Sequence, residues 1–211
     1  MRDTAIERSV AALYSPVLPY HNFGHAIEVV RQARAIVTRC AQESVPVRTD
    51  IVYLACLFHD AGFHIDHVRM GHASKEAYSA QLAADMLGLY GMAQEDIELV
   101  MAAILSTHCD GRCQSNEEKV VKSADLSGVA ADYEAFRSVS IRLKKEAEIF
   151  AGRELAWDTW ARQACERLEL FLYEDLHLTS DYFDEDGNSV FHLRARENMR
   201  RLLEEREPAP V

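Results

Sequence analysis

Leu57-Phe58-His59-Asp60-Ala61-Gly62 is the stretch around which the rest of the sequence can be interpreted. Its histidine and aspartate stand side by side at the end of an apolar run, Ile51 to Phe58. Burying an imidazole and a carboxylate without partners costs several kcal/mol, so we expect partners for both. A metal ion would serve, because neutral imidazole and carboxylate oxygen are ordinary ligands of transition metals. The alternative is a helix that ends in an exposed His-Asp pair.

The composition indicates an ordinary globular protein built from helices. A chain of 211 residues, 48% of them hydrophobic, can bury the core of one domain. Only 9 Gly and 5 Pro leave little room for the frequent turns of a β-sandwich or barrel. The net charge of −11 argues against a nucleic-acid surface, which needs a basic stripe. The sequence therefore predicts an all-α protein that forms a single domain over residues 1–211.

Cysteine usage and the amino-terminal residues predict a cytoplasmic protein. The five cysteines are odd in number and scattered, which is typical of free thiols in a reducing compartment. The first residues carry charges where a signal peptide needs an apolar region. The longest apolar run, Ile51 to Phe58, is far shorter than a membrane span. We expect no membrane partner.

Apolar residues recur at three- and four-residue steps along most of the chain, which is the pattern of amphipathic helices. Thr49 or Asp50 is expected to cap the third helix, Leu105 to face the core, and Tyr173 to pack between the last helices. Residues 184–188 are predicted to form a turn and residues 207–211 a disordered tail. The predicted helices span residues 3–14, 22–42, 49–58, 73–89, 94–107, 117–128, 133–151, 153–176 and 188–206.

Other histidines and an aspartate occur at positions where they could complete a metal site. His21 and His25 are four residues apart, which predicts that they lie on one side of a helix, with His25 at the border of its apolar stripe. Asp125 is an acid in a mostly apolar segment, 120–126. Alone, His25 could be a core histidine and Asp125 a cap or a surface acid. Together with His59-Asp60 they favour a metal site.

The ordered set His25, His59-Asp60 and Asp125 resembles the H…HD…D signature of the HD-domain superfamily of metal-dependent phosphohydrolases. The resemblance covers about residues 20–130 and implies an HD-type helical bundle, with residues 131–206 as additional C-terminal helices. It also implies that His25, His59, Asp60 and Asp125 are metal ligands.

The segment Tyr20-His21-Asn22-Phe23-Gly24-His25-Ala26 is similar to one in class I cyclic nucleotide phosphodiesterases. It is also similar to a segment of small stand-alone bacterial HD phosphohydrolases, whose length fits this chain better. In the phosphodiesterases the first histidine acts as general acid and the second binds metal. The resemblance therefore implies that His21 donates a proton to a leaving oxygen, while metal-activated water attacks phosphorus.

Two further residues are candidate catalytic groups. Glu76 lies in a segment, 75–80, that resembles the Asn-Glu-x-x-Ser-Ala segment of small HD proteins, in which the Glu holds water at the metal. His108 matches a histidine that many HD proteins carry before the final Asp, where it could contact phosphate or a second metal. The alternatives are a solvated helix glutamate and a histidine at a helix end.

Lys75 bears on the number of metal ions that the site is expected to hold. HD proteins with two directly bound metals usually carry a histidine at this position, so we expect one firmly bound divalent ion, which could be Mn, Fe, Ni, Zn or Mg. A second, weaker ion bridged by Asp60 stays open, as does substitution by His72. Lys75 is expected to be exposed or to contact phosphate. His64 and His67 could line the mouth of the site.

Three functions remain in view. The preferred one is hydrolysis of a phosphate ester of a small molecule, such as a nucleotide. The second is a di-iron oxygenase on an HD scaffold, which would need His72 and His108 as additional ligands. The third is a non-catalytic helical protein that binds a structural metal or a nucleotide. One face of a C-terminal helix could form a homodimer contact.

Overall fold

A computed structural model describes residues 4–205, and these residues form an all-α protein, as predicted. The described residues contain no strand, only an isolated bridge between Phe183 and Ser189. Short 3-10 helices lie at Leu126–Ala130 and Ser180–Tyr182. The α-helices are α1 (Thr4–Ala11), α2 (Phe23–Gln42), α3 (Thr49–Phe58), α4 (Lys75–Leu89), α5 (Gln94–Ser106), α6 (Asn116–Asp125), α7 (Tyr133–Ala151), α8 (Trp157–Phe171) and α9 (Val190–Glu204). The predicted tail at 207–211 lies outside the described residues.

The fold divides into two compact units. The N-terminal unit contains the described residues up to Asp125 together with Leu176–Thr179. The C-terminal unit contains Leu126–Asp175 and the described residues from Ser180 onward. All of the predicted site residues belong to the N-terminal unit, and the assignment of the whole chain to one domain stays a prediction.

Helix α3 lies at the centre of the N-terminal unit. Seven of its ten residues are buried, and it contacts α1, α2, α4, α5 and α6. A helix that is apolar on all sides has to be surrounded by other elements, and each large side chain buried there contributes ~1.5–3 kcal/mol. The unit is therefore built around the helix that ends at His59-Asp60.

The start of α3 differs from the prediction. Arg48 is its N-cap residue and provides no side-chain cap, so neither Thr49 nor Asp50 caps the helix. Instead the Asp50 carboxylate lies 2.6 Å from the Arg48 guanidinium, within the first turn. A negative charge at this position stabilises the positive end of the helix dipole.

The C-terminal unit has its own core, built around Trp157 and Trp160 on α8 and residues of α7 and α9. Helix α8 is shorter than the predicted 153–176 span, because Gly152 ends α7 in a left-handed conformation (φ 62°) and Ala156 becomes the N-cap. Tyr173 is 75% exposed, so its predicted packing role is wrong. In the N-terminal unit, Leu105 is 43% exposed and likewise does not face the core.

All five cysteines are free, as predicted. The turn at residues 184–188 is also confirmed, since the Asp184 carboxylate accepts hydrogen bonds from the backbone of Asp186 and Asn188. None of the helices in residues 4–205 has the length and apolar character to cross a membrane.

Candidate metal centre

The carboxyl end of α3 is held by side chains from three directions. Tyr14 donates its hydroxyl to the Leu57 carbonyl (2.8 Å), and Ser79 donates to the Ala61 carbonyl (2.8 Å). The Nδ1 of His59 lies 2.9 Å from the Cys56 carbonyl. Because the last carbonyls of a helix have no partner within it, these bonds satisfy groups that would otherwise be buried and unpaired. The segment that carries His59 and Asp60 is therefore rigidly placed.

Four side chains from three parts of the chain converge beside this helix end. His25 lies in the first turn of α2, His59 and Asp60 follow α3, and Asp125 is the last residue of α6. One ligand atom of each lies within 4.8 Å of the others. The structure therefore brings together the four predicted metal ligands.

The donor atoms are spaced as ligands of one small cation are. His59 Nε2 lies 2.9 Å from Asp60 Oδ2, and His25 Nε2 lies 3.2 Å from Asp125 Oδ1. The two Nε2 atoms are 3.3 Å apart. Ligand atoms ~2.1 Å from a shared ion are separated by ~3.0 Å at right angles and ~3.4 Å at the tetrahedral angle. These separations, and the 3.5 Å between His25 Nε2 and Asp60 Oδ2, lie within or close to this range.

The chemistry of the four groups also requires a positive charge between them. The Cys56 carbonyl can only accept, so His59 Nδ1 carries a proton and the Nε2 of neutral His59 presents a lone pair. That lone pair faces the Asp60 carboxylate and the second imidazole. Either an additional proton or a metal ion has to separate these groups. The donor set therefore fits a divalent cation, and the bond from Nδ1 to a carbonyl is common for metal-binding histidines.

The pKa shifts of His59, Asp60 and Asp125 also indicate that a positive charge is favoured among these groups. Burial by itself would lower the pKa of His59, but Asp60 and Asp125 outweigh it and raise this pKa well above its ordinary value. Burial would raise the pKa of both carboxyls, yet His59 reverses the effect and lowers the pKa of Asp60 and of Asp125. Without a metal ion, a proton on His59 takes the place of the cation.

His21 lies near the cluster but not on a helix. Asn22 is the N-cap of α2, and its Oδ1 accepts from the backbone of Gly24 (2.9 Å) and His25 (3.4 Å). The prediction that His21 and His25 share one side of a helix is therefore wrong. The His21 ring nevertheless lies 5.8 Å from the His25 ring, centroid to centroid. It stacks on Phe63 at 3.8 Å with an interplanar angle of 15°.

The other predicted catalytic residues, Glu76 and His108, are not members of the four-residue cluster. Glu76 is half-buried in the first turn of α4. His108 follows α5, and its Nδ1 accepts a hydrogen bond from the Asp110 backbone (3.1 Å). His108 belongs to a separate, more exposed group with Cys109 and Asp110. The catalytic roles of Glu76 and His108 stay predictions.

The basic and histidine side chains near α4 also lie outside the cluster. Lys75 is half-buried, with its Nζ 3.3 Å from the centroid of the Phe63 ring, so it is not the exposed lysine expected from the sequence. The His72 ring lies 5.2 Å from that of Tyr78. His64 is exposed and His67 is half-buried.

Three residues that support the site were not singled out from the sequence. They are Tyr14, Ser79 and Phe63, which hold the end of α3 or contact His21. Ser79 could have been found, because it occupies the Ser of the segment that resembles Asn-Glu-x-x-Ser-Ala. Nothing in the sequence distinguishes Tyr14 or Phe63 from other aromatic packing residues.

Comparison with known protein families identifies the family to which the chain belongs. The sequence profile of the family described as HD domain matches residues 22–127, about half of the chain. The match extends from the cap of α2 to just beyond Asp125 and so contains all four donors. The chain belongs to the HD domain family. No curated protein sequence matches it significantly.

Solved structures resemble the fold of this HD domain protein beyond its N-terminal unit. LmjPDEB1 in complex with IBMX has a TM-score of 0.60 at 13% identity, over 93% of this chain and 77% of that one. The phosphodiesterase domain of the RhoPDE fusion protein from the choanoflagellate Salpingoeca rosetta gives 0.57 at 17%, over 93% and 77%. The phosphodiesterase domain of Salpingoeca rosetta rhodopsin phosphodiesterase gives 0.58 at 16%, over 94% and 75%. At these identities the likeness establishes the fold.

Proposed function

We propose that this HD domain protein hydrolyses a phosphate ester of a small molecule, such as a nucleotide, with the help of one firmly bound divalent metal ion. The observation that carries the proposal is the convergence of His25, His59, Asp60 and Asp125, whose ligand atoms lie within 4.8 Å of one another. Membership of the HD domain family supports it. So does the similarity in fold to phosphodiesterase domains.

The four clustered side chains are the proposed ligands. A divalent cation held by them would supply an activated water and a positive charge for the phosphoryl oxygens. Two imidazoles and two carboxylates suit Mn, Fe, Ni, Zn and Mg to different degrees, so the identity of the ion is open. The hydrogen bond from His59 Nδ1 to the Cys56 carbonyl keeps Nε2 directed at the other three donors.

His21 is the proposed proton donor. The leaving alkoxide of a phosphate ester needs a proton, and a histidine within hydrogen-bond reach of that oxygen can provide it. The His21 ring lies beside the His25 ring without belonging to the cluster, so it can serve a substrate at the centre without binding the ion. Glu76, which could orient the attacking water, and His108, which could contact phosphate, are proposed auxiliary groups.

The other functions are less well supported by the geometry. A di-iron oxygenase would need His72 and His108 as additional ligands. His72 packs against Tyr78, and His108 belongs to a separate group. A non-catalytic metal- or nucleotide-binding protein would use the same four donors, so the role of His21 separates it from an enzyme.

The experiment combines metal content with a substrate screen. The metal in the purified full chain is identified by elemental analysis, and phosphomonoesters, phosphodiesters and nucleotides are tested with that metal. His21→Ala should lower kcat by about 10²–10⁴-fold, as expected for loss of a general acid, and keep the metal. His177→Ala, which removes an exposed histidine far along the chain, is the control.

Each outcome separates the hypotheses. A metal-loaded chain that cleaves nothing in the panel would count against the phosphohydrolase. An active chain in which His21→Ala behaves like His177→Ala would remove His21 from the mechanism. Two irons per chain, with His72 and His108 coordinated, would favour the oxygenase.

A further inference from the structure

Both faces of the Phe63 ring are occupied by site residues. The His21 imidazole stacks on it at 3.8 Å, centroid to centroid, and the Lys75 Nζ lies over it at 3.3 Å from the centroid. Two groups this close to the same centroid would overlap if they shared one face. The imidazole and the ammonium group therefore lie on opposite faces, with the aromatic ring between them.

The backbone ties Phe63 to the proposed ligand Asp60. The Phe63 amide donates to the Asp60 carbonyl (3.1 Å), and the Gly62 amide donates to the Leu13 carbonyl (3.0 Å). Gly62 has a left-handed φ of +74°, and a Cβ there would lie 2.7 Å from the Tyr78 ring. The turn at Gly62 is thus fixed by conformation and by packing, and it aims the Phe63 ring at His21.

The two groups stacked on Phe63 come from the starts of two helices. His21 immediately precedes Asn22, the N-cap of α2, and Lys75 immediately follows Ser74, the N-cap of α4. The backbone at Asn22 is well held, since its side-chain amide donates to the Leu18 carbonyl (2.9 Å). The His21 imidazole itself packs against the Phe63 ring at 3.8 Å and against the Tyr20 ring at 4.8 Å, centroid to centroid.

We propose that Phe63 is the positioning residue for His21, and that Lys75 braces the opposite face of its ring. The inference rests on the proposed function, because it takes His21 as the proton donor. It also assigns a role to Lys75, the residue that stands where HD proteins with two metals usually carry a histidine. Lys75 contacts the face of the Phe63 ring opposite His21 and is not a member of the four-residue cluster.

The test compares Phe63→Leu, Phe63→Tyr and Lys75→Met in the full chain. The Cε1–H resonance of His21, assigned by its loss in His21→Ala, should be displaced by the ring current of Phe63. It should move in Phe63→Leu, move less in Lys75→Met, and stay near its wild-type position in Phe63→Tyr, which keeps the ring. Phe191→Leu is the matched control, since Phe191 is also half-buried beside a histidine, His192, at 5.4 Å.

Kinetics on the best substrate provide the second readout. Phe63→Leu should lower kcat by roughly 10- to 100-fold with KM changed by less than about two-fold, as for misplacement of a catalytic group. Phe63→Tyr, which keeps the aromatic ring, should have a kcat close to that of the wild type. An unmoved His21 resonance in Phe63→Leu would overturn the proposal, as would unchanged kcat or an effect equal to that of Phe191→Leu. A wild-type chain inactive on every ester would overturn the proposed function instead, while the resonance would still decide whether Phe63 holds His21.

Discussion

Asp125 is the proposed ligand most distant in sequence from the others, and its Oδ1 lies 3.2 Å from His25 Nε2 and 3.4 Å from His59 Nε2. Asp125→Asn keeps the shape of the side chain but removes its charge. Metal affinity should fall by more than the roughly 10- to 100-fold that loss of a ligand's supporting partner costs. Isothermal titration with the native metal measures this. Asp85→Asn, on the exposed side of α4, should bind metal like the wild type.

The raised pKa of His59 predicts how the stability of the metal-free chain depends on pH. Its pKa in the folded state is raised above the ordinary 6.5, so the protonated form stabilises the fold fully below that value. This contribution is lost as the pH rises through the folded pKa, with a slope of up to ~1.4 kcal/mol per pH unit. Asp60 and Asp125 have lowered pKa values, and their contribution is lost when the pH falls far below 3.8.

Urea unfolding of the metal-free chain between about pH 6 and about pH 9, a range that begins just below the ordinary histidine pKa and extends above it, measures the effect. The free energy of unfolding should decrease as the pH rises. The chain saturated with metal is the control, because the ion replaces the proton and should remove this slope. A metal-free chain whose stability is constant or increases over this range would show that His59 is not protonated between the carboxylates.

The proposed ligands could be identified from the sequence, whereas the contacts of single residues near them could not. His25, His59, Asp60 and Asp125 occur in an order that resembles a known signature, and the structure gathers them. Lys75 had no such pattern. Lys75 and Phe63 are twelve positions apart in the sequence, and only the folded chain brings them into contact. The sequence therefore suggested an exposed lysine.

The turn after α3, at Gly62, should be more sensitive to substitution than the turn at Gly91. Gly62 and Gly91 both have φ of +74°, but a Cβ at Gly62 would lie 2.7 Å from Tyr78 and 2.8 Å from Leu82, whereas one at Gly91 would meet nothing within 4 Å. Each Gly→Ala change should cost ~1–2 kcal/mol for the left-handed backbone. Gly62→Ala should cost ~1–3 kcal/mol more for overpacking.

Urea unfolding of Gly62→Ala and Gly91→Ala measures the difference, and isothermal titration shows whether the turn supports the metal centre. Metal affinity should fall in Gly62→Ala alone, because this turn follows His59 and Asp60 directly. Equal losses of stability in the two variants, with metal affinity unchanged in both, would mean that the contact with Tyr78 and Leu82 does not fix the site.

Helix positions were predictable where local signals agree. The predicted start of α2 at 22 matches its N-cap Asn22, because a good cap and an apolar stripe mark the same place. His21 precedes this cap and therefore lies outside the helix. For α8 the amphipathic pattern begins before Ala156 and continues beyond Phe171, so periodicity alone could not locate either end.

For the molecule as a whole, composition and helical periodicity together were sufficient to predict the fold class. Few glycines and prolines and a helical periodicity predicted an all-α protein, and the described residues form one. The division at Asp125 and Leu126 lies close to the predicted end of the HD-type core at about 130. It was not evident as a linker, because α6 continues directly into a 3-10 helix. The homodimer stays a prediction.

The metal centre can be tested directly by anomalous diffraction from crystals of the full chain, at the absorption edge of the metal found by elemental analysis. One strong peak should lie within ligand distance, ~2.0–2.3 Å, of His25 Nε2, His59 Nε2, and carboxylate oxygens of Asp60 and Asp125. Metal-loaded crystals with no peak among these four residues, or with their only peak at His108 and Cys109, would contradict the account.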